Sequence, residues 1–178
     1  MSLHYYSDRV FTIADFLSLS ECQALIDLAE NQGFAAATVR TQQGPQMLAN
    51  IRNNQRTILP SAAWVAQLWA RLQSYSLPVL DGMQACALPR ELRFYKYDPG
   101  QRFKMHKDGP WHEDGLSSKL TFLLYLNDDF TGGVTDFRDF VVTPQCGQAL
   151  LFVHDTWHEG QAVQTGVKYV LRSDVMYR

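Results

Sequence analysis

Residues 91–108 read Glu91-Leu92-Arg93-Phe94-Tyr95-Lys96-Tyr97-Asp98-Pro99-Gly100-Gln101-Arg102-Phe103-Lys104-Met105-His106-Lys107-Asp108. The first seven alternate around aromatic and strand-compatible side chains, Asp98-Pro99-Gly100 is a turn signal, and Phe103–His106 resumes an extended pattern. The same rhythm of short strands and turns continues to the C-terminus, with candidates at Lys119–Leu126, Val134–Phe140, Ala149–Val153, Glu159–Val163 and Lys168–Tyr177. Many short strands at this spacing predict a sandwich or barrel. The first half reads differently. Ser18 and Glu21 have capping-box spacing ahead of an apolar stripe of Cys22, Leu25, Ile26, Leu28 and Ala29, and Gly33 is a natural stop. A second helix follows Pro60-Ser61, with Trp64, Leu68 and Leu72 on one face, and its tryptophans are expected to pack against a sheet. Thr41–Asn54, polar and bearing Gly and Pro, reads as a surface loop. The expectation is one mainly β, α+β domain over 1–178, with helices at about 15–75 on one outer face of a β core at about 90–178.

The composition sets bounds on partners. Hydrophobic residues make up 46% of 178 and charged residues 19%, which suits a packed core and not a disordered chain. Sixteen Lys and Arg against 18 Asp and Glu leave a net charge of -2, so no global electrostatic grip on nucleic acid is expected, although a local cationic patch stays open. Cys22, Cys86 and Cys146 are odd in number and lack paired spacing. That pattern predicts neither a disulfide framework nor a thiolate zinc site, and it fits a reducing compartment. No run has signal-peptide or membrane-span length, and the expected location is the cytoplasm.

Four of the five histidines lie between residues 106 and 158. In His106-Lys107-Asp108 an imidazole and a carboxylate stand two residues apart, a spacing that places both on one face of an extended strand. His158, after the apolar run Ala149–Val153, is the candidate for a third ligand from a separate strand. Two histidines and a carboxylate suit one face of an octahedral iron, with zinc as the competitor. His112-Glu113-Asp114 repeats the spacing inside a Gly- and Pro-flanked segment that reads as a loop, and His154 competes with His158, supports the ligands from behind, or is structural. Ten residues after His158 comes Lys168, and Arg172 falls on the same strand face. Either can hold a buried anion, Arg172 bidentately and Lys168 as a point charge.

In order along the chain, several blocks resemble the 2-oxoglutarate- and Fe(II)-dependent dioxygenases, in particular their prolyl 4-hydroxylase-like branch. They are Arg93-Phe94-Tyr95-Lys96-Tyr97 with Pro99-Gly100, His106-Lys107-Asp108, Thr121 through Asn127, Gly132-Gly133-Val134-Thr135-Asp136-Phe137, Gly147 through Phe152, and His158-Glu159-Gly160 through Lys168-Tyr169. The resemblance implies a double-stranded β-helix (jelly roll) that uses Fe(II), 2-oxoglutarate and O2, with ascorbate as an accessory reductant. It implies His106, Asp108 and His158 as iron ligands and Lys168 as the anchor of the far carboxylate of 2-oxoglutarate. Tyr97, Tyr125 and Thr135 would line the co-substrate pocket, with Thr121 and Leu123 on the strand face of Tyr125. Arg172 would hold co-substrate, face the substrate, or pair with Asp174 or Asp136. The implied reaction couples decarboxylation of 2-oxoglutarate to succinate with hydroxylation of a C–H bond, on a prolyl or other amino-acid side chain in a peptide, a protein or a free molecule. Two alternatives stand beside it. One is a catalytically silent metal-binding jelly roll acting as a sensor or binding module. The other is an oxidative nucleic-acid demethylase, suggested by the Arg172-to-Arg178 spacing. Gln43–Arg56 and Gly109–Ser118, the latter a candidate lid, are expected to select the substrate.

Overall fold

In the strand Leu116–Tyr125, side chains divide between two faces of one sheet: Leu120, Phe122 and Leu124 point to one side, Thr121, Leu123 and Tyr125 to the other. The same division runs through neighbouring strands. Leu92 and Phe94 oppose Tyr95 and Tyr97, and Ala149 and Leu151 oppose Leu150 and Phe152. The computed structural model describes residues 3–37, 39–41, 44–46 and 50–178, of which 39–41 and 44–46 by backbone alone.

The large sheet runs Leu3–Tyr5, Val10–Ile13, Ala149–Val153, Leu116–Tyr125, Lys168–Tyr177, Glu91–Tyr97, Gln55–Pro60, Ala35–Ala36, with every pair antiparallel. Its outer face carries the helices α1, Leu19–Gln32, and α2, Ala62–Leu72. Leu25, Ala29, Leu68 and Leu72 are fully buried there against Leu92, Phe94, Phe122 and Leu171. The Ser18–Glu21 capping box is present, and the Glu21 carboxylate also pairs with Arg71 at 2.8 Å, tying one helix to the other. Its inner face meets a smaller sheet in the order Val141–Val142, Thr135–Asp136, His158–Gly160, Phe103–His106. A second apolar cluster, including Tyr97, Tyr125, Phe137 and Phe152, fills the space between. This is the double-stranded β-helix with its helices on one outer face.

Several expectations need correction. The first half is not only helical: Val10–Ile13 and Gln55–Pro60 are strands of the large sheet. Val10–Ile13 (Val-Phe-Thr-Ile) is buried at every position because both of its faces are covered, so it carries no period-two signal. Val134–Phe140 is not one strand. Thr135–Asp136 and Val141–Val142 pair with each other across a bend at Arg138, whose φ is +75°. Glu159–Val163 likewise divides into His158–Gly160 and Val163–Thr165. Within the expected Thr41–Asn54 loop, Val39–Thr41 pairs with Gly44–Gln46, while Gln42, Gln43 and 47–49 lie outside the described residues. Among the described residues, no helix is long and apolar enough to cross a membrane.

Candidate active site

His106 and His158 are direct cross-strand partners in the smaller sheet, their ring centroids 4.2 Å apart. Asp108, two residues past its strand, is fixed by its backbone N–H donating to the His154 carbonyl at 2.9 Å. One carboxylate oxygen lies 3.7 Å from His106 Nε2 and the other 3.7 Å from His158 Nε2, and the three ligand atoms lie within 4.8 Å of one another. Each imidazole is aimed by its far nitrogen. His106 Nδ1–H donates to the Lys104 carbonyl at 2.7 Å, and His158 Nδ1–H to the Thr156 carbonyl at 3.0 Å. Both Nε2 lone pairs are thereby turned toward the carboxylate, as metal ligation requires. Burial, with His158 beside it, drives the His106 pKa down to about 3, and burial lowers His158 as well. Burial alone would raise Asp108, but Arg172 at 3.1 Å, the two histidines and the Thr121 hydroxyl together outweigh it and hold the carboxylate well below its usual range. Two neutral imidazoles and one carboxylate can hold a divalent cation through three donors and leave room for other ligands.

A directed hydrogen-bond chain supports Asp108. Thr121 donates to its carboxylate at 2.6 Å, which leaves the hydroxyl oxygen to accept from His154 Nδ1–H at 3.0 Å. His154 Nε2 then accepts from the Ser118 hydroxyl at 2.7 Å, and Ser118 accepts from the Trp111 backbone N–H at 2.7 Å. Burial lowers the His154 pKa, consistent with the neutral ring this chain demands. Strict alternation would put Ser118 and Thr121 on opposite faces. A bulge between Ser118 and Leu120 resets the parity and brings both hydroxyls to His154.

From this triad a cavity runs inward between the sheets to Lys168, past Tyr97, Thr121, Leu123, Tyr125 and Thr135. Lys168 is 4% exposed; its ammonium donates to the Gly133 carbonyl and lies 5.5 Å from the Tyr97 ring and 5.3 Å from that of Tyr125. No carboxylate pairs with it among the described residues, and burial brings its pKa down to about 7. Gly133, at φ +62°, allows this approach: a Cβ there would stand 3.2 Å from the lysine side chain. Tyr125 and Thr135 bond each other at 2.6 Å, and burial raises the Tyr97 hydroxyl to about 12. An anion-sized polar end and a metal-competent end thus share one cavity. A 2-oxo dicarboxylate carries the matching groups, a metal chelate at one end and an anion at the other.

Residues 92–173 match the family profile described as the 2OG-Fe(II) oxygenase superfamily, a segment containing His106, Asp108, His158 and Lys168. The match covers just under half of the chain. Prolyl 4-hydroxylase 1 of Arabidopsis thaliana is 27% identical to the chain over 169 residues, covering 83% of this chain and 58% of its own; probable prolyl 4-hydroxylase 3 of the same plant is 24% identical with the same coverage. The chain thus spans just over half the length of these relatives. Among solved structures, the viral collagen prolyl hydroxylase of Paramecium bursaria Chlorella virus-1, in complex with 2OG, superposes with a TM-score of 0.72 at 21% identity, covering 96% of both chains. A Trichoplax adhaerens prolyl hydroxylase bound to a hypoxia inducible factor peptide fragment gives 0.71 at 18% identity, covering 95% of this chain and 84% of its own. At these identities the likeness establishes the fold.

Around the His106–Asp108–His158 triad the structure sorts the remaining candidates. Arg172 meets Asp108 and, at 3.4 Å, Asp174, whereas Asp136 binds Gln161 instead. Arg178 is exposed at the end of the last strand and lines neither cavity of the site. His112 is exposed in a hairpin in which His112–Glu113 pairs with Leu116 and Ser117, so Gly109–Ser118 is in part a strand pair and not an open loop. Of the Gln43–Arg56 candidate, Gln55 and Arg56 belong to a strand of the large sheet. Sequence reasoning does not single out Arg52 or Asn54, whereas the supporting role of His154 is one of its open alternatives. Arg52 is 4% exposed, its Nε bonded to Asn54 at 2.6 Å and its guanidinium over the rings of Tyr95 and Phe103. Burial would raise the Tyr95 phenol, yet Arg52, Arg172 and Arg93 together bring it down to about 7.

Proposed function

We propose that the protein is a 2-oxoglutarate-dependent hydroxylase, acting on a prolyl or other amino-acid-like C–H bond, in which residues 1–178 work as one cytoplasmic domain. The carrying observation is the pairing, in one cavity, of a preorganised His106–Asp108–His158 donor set with a buried lysine that has no carboxylate of its own. A silent metal scaffold has no use for that lysine. Names of relatives support the class: prolyl 4-hydroxylases in Arabidopsis, and a 2OG complex and a peptide complex among the similar structures.

His106, Asp108 and His158 would hold Fe(II). Bound there with 2-oxoglutarate and O2, it would supply the oxidising chemistry by which one oxygen atom would enter the substrate C–H bond as hydroxyl and the other succinate, with release of CO2. The chain's own residues position everything else. Arg172 and Thr121 keep Asp108 ionised and fixed. Lys168 would pair with the distal carboxylate of 2-oxoglutarate, while Tyr97, Tyr125 and Thr135 line the cavity between and exclude bulk water.

The test is calorimetric binding of Mn(II), then of 2-oxoglutarate, followed by succinate formation with Fe(II) and candidate substrates. His106→Ala should abolish metal binding, whereas His112→Ala should leave it unchanged, and 2-oxoglutarate should bind only the metal-loaded protein. Metal binding that survives His106→Ala, or 2-oxoglutarate binding that ignores the metal, would overturn the proposal.

A further inference from the structure

The triad faces a second, wider space. A groove of about 570 Å3 shares His106, Asp108, Tyr95, Phe103 and Arg172 with the inner cavity but opens on the other side of the triad. Its volume falls within the range of small-molecule sites, roughly 300–1,000 Å3. Five cations line it: Arg52, Arg56, Arg93, Lys107 and Arg172. Three carboxylates also do, and two of them are engaged. Asp174 is held by Arg93 and Arg172, Asp108 by Arg172 and Thr121, and Glu91 is exposed. Arg52 is the buried cation to which the described residues give no carboxylate, with only the Tyr95 phenol against it. It forms no ion pair among the described residues, and one of its terminal nitrogens is buried without a hydrogen-bond partner. Residues 38–49, whose side chains are outside the described set, contain no Asp or Glu to supply one. A buried guanidinium without a carboxylate is costly unless an anion completes it.

We propose, building on the hydroxylase reading, that the molecule hydroxylated is a small oxyanion, a carboxylate or phosphate, held by Arg52 with its reacting carbon at the His106 side of the triad. Distance sets the size. The Arg52 guanidinium lies 4.5 Å from the Phe103 ring centroid, and Phe103 stacks on His106 at 3.5 Å, so one aromatic ring separates the anion site from a metal-ligating imidazole. The reacting carbon is therefore only a few bonds from the anionic group. The charge is recessed, since Arg52 is 4% exposed, which suits a compact anion inserted into the groove better than a nucleic-acid backbone lying across a surface. Arg52 lies outside the segment that matches the oxygenase superfamily, so this specificity belongs to the chain's own N-terminal part.

The experiment uses the full chain loaded with Mn(II) and 2-oxoglutarate and three ligand sets: N-acetyl amino acids as free carboxylates, the same compounds as primary amides, and short alkyl phosphates. Calorimetry reads binding, and Fe(II)-dependent succinate formation above the substrate-free background reads coupling. At least one carboxylate or phosphate should bind and stimulate, with its neutral counterpart 30-fold or more weaker; the two anion sets then say which oxyanion the site takes. Arg52→Met, which keeps the stacked stem, should lose the same factor, and Arg52→Lys should fall between. Equal binding of acids and amides, unchanged affinity in Arg52→Met, or binding of acidic peptides or single-stranded oligonucleotides but of no small anion would each overturn the proposal. The acid–amide comparison on the unaltered protein decides the matter even if the variants misfold. Loss of 2-oxoglutarate binding by the metal-loaded wild type would instead refute the hydroxylase reading itself.

Discussion

Replacing Lys168 with methionine keeps the length of the side chain and removes its charge. The ammonium is buried among Tyr97, Tyr125 and Phe130 with a single backbone carbonyl as partner, and burial brings its pKa from 10.5 to about 7. At about 1.4 kcal/mol per pH unit, keeping that charge without an anion costs the folded protein on the order of 5 kcal/mol. A carboxylate placed beside it favours the protonated form and raises its pKa again. Affinity for 2-oxoglutarate should then be full below pH 7 and fall about tenfold per unit above it, roughly 100-fold between pH 6 and pH 9. The sign reverses for stability of the ligand-free protein. Between pH 7 and 10.5 the unfolded chain binds a proton at Lys168 that the folded one does not, so stability should rise by about 3 kcal/mol from pH 7 to pH 9. Calorimetric titration of the Mn(II)-loaded protein at five pH values, alongside Lys168→Met, separates this from any pH dependence of the metal. His106, with its pKa near 3, stays neutral throughout this window. The variant should bind weakly with no extra slope. Tyr95, also near 7 on the cavity wall, can give both proteins a common slope, so a wild-type affinity no steeper with pH than the variant's would refute the role assigned to the lysine.

Other perturbations test the supporting structure. Thr121→Val breaks the link between Asp108 and His154 and should weaken Mn(II) binding about 10-fold or more with little change in melting temperature; unchanged metal affinity would remove the chain's positioning role. Asp174→Asn leaves Arg93 and Arg172 facing each other and should cost about 3–5 kcal/mol in urea unfolding, with part of the loss recovered by adding Arg93→Met. Gly147→Ala places a Cβ 2.2 Å from the Leu17 carbonyl at a φ of +81°, and should destabilise by more than about 1 kcal/mol while leaving the 2-oxoglutarate Kd of the surviving folded protein unchanged.

Local chemistry in the chain is plainly legible. The capping box and apolar stripe of α1, the strand at Glu91–Tyr97 and the last strand at Lys168–Tyr177 rest on interactions within a few residues, and each stands where its pattern puts it. The His-x-Asp spacing likewise carries its own meaning, because two side chains two residues apart on extended backbone share a side. Legibility fails where partners are distant. Val10–Ile13 has no alternation because both its faces are covered, and Arg52 sits in a polar stretch that reads as a loop until a bridge to Phe103 draws it beside the triad. For His154 the sequence leaves open a rival ligand to His158, a support for the ligands, or a structural residue. A one-residue bulge turns Ser118 and Thr121 toward it and makes it a support for Asp108.

The sequence by itself therefore determined the residue types and their local spacing: an imidazole and a carboxylate on one strand end, a second imidazole, a lysine ten residues on, and the alternation that separates core from cavity. Only the tertiary structure decided that His158 stands opposite His106, that Lys168 closes the far end of their cavity without a carboxylate, and that Arg52 waits on the other side. The reason is physical. Spacing along a chain fixes the side to which a group points, whereas the register between strands, shifted by single bulges, fixes what it meets there.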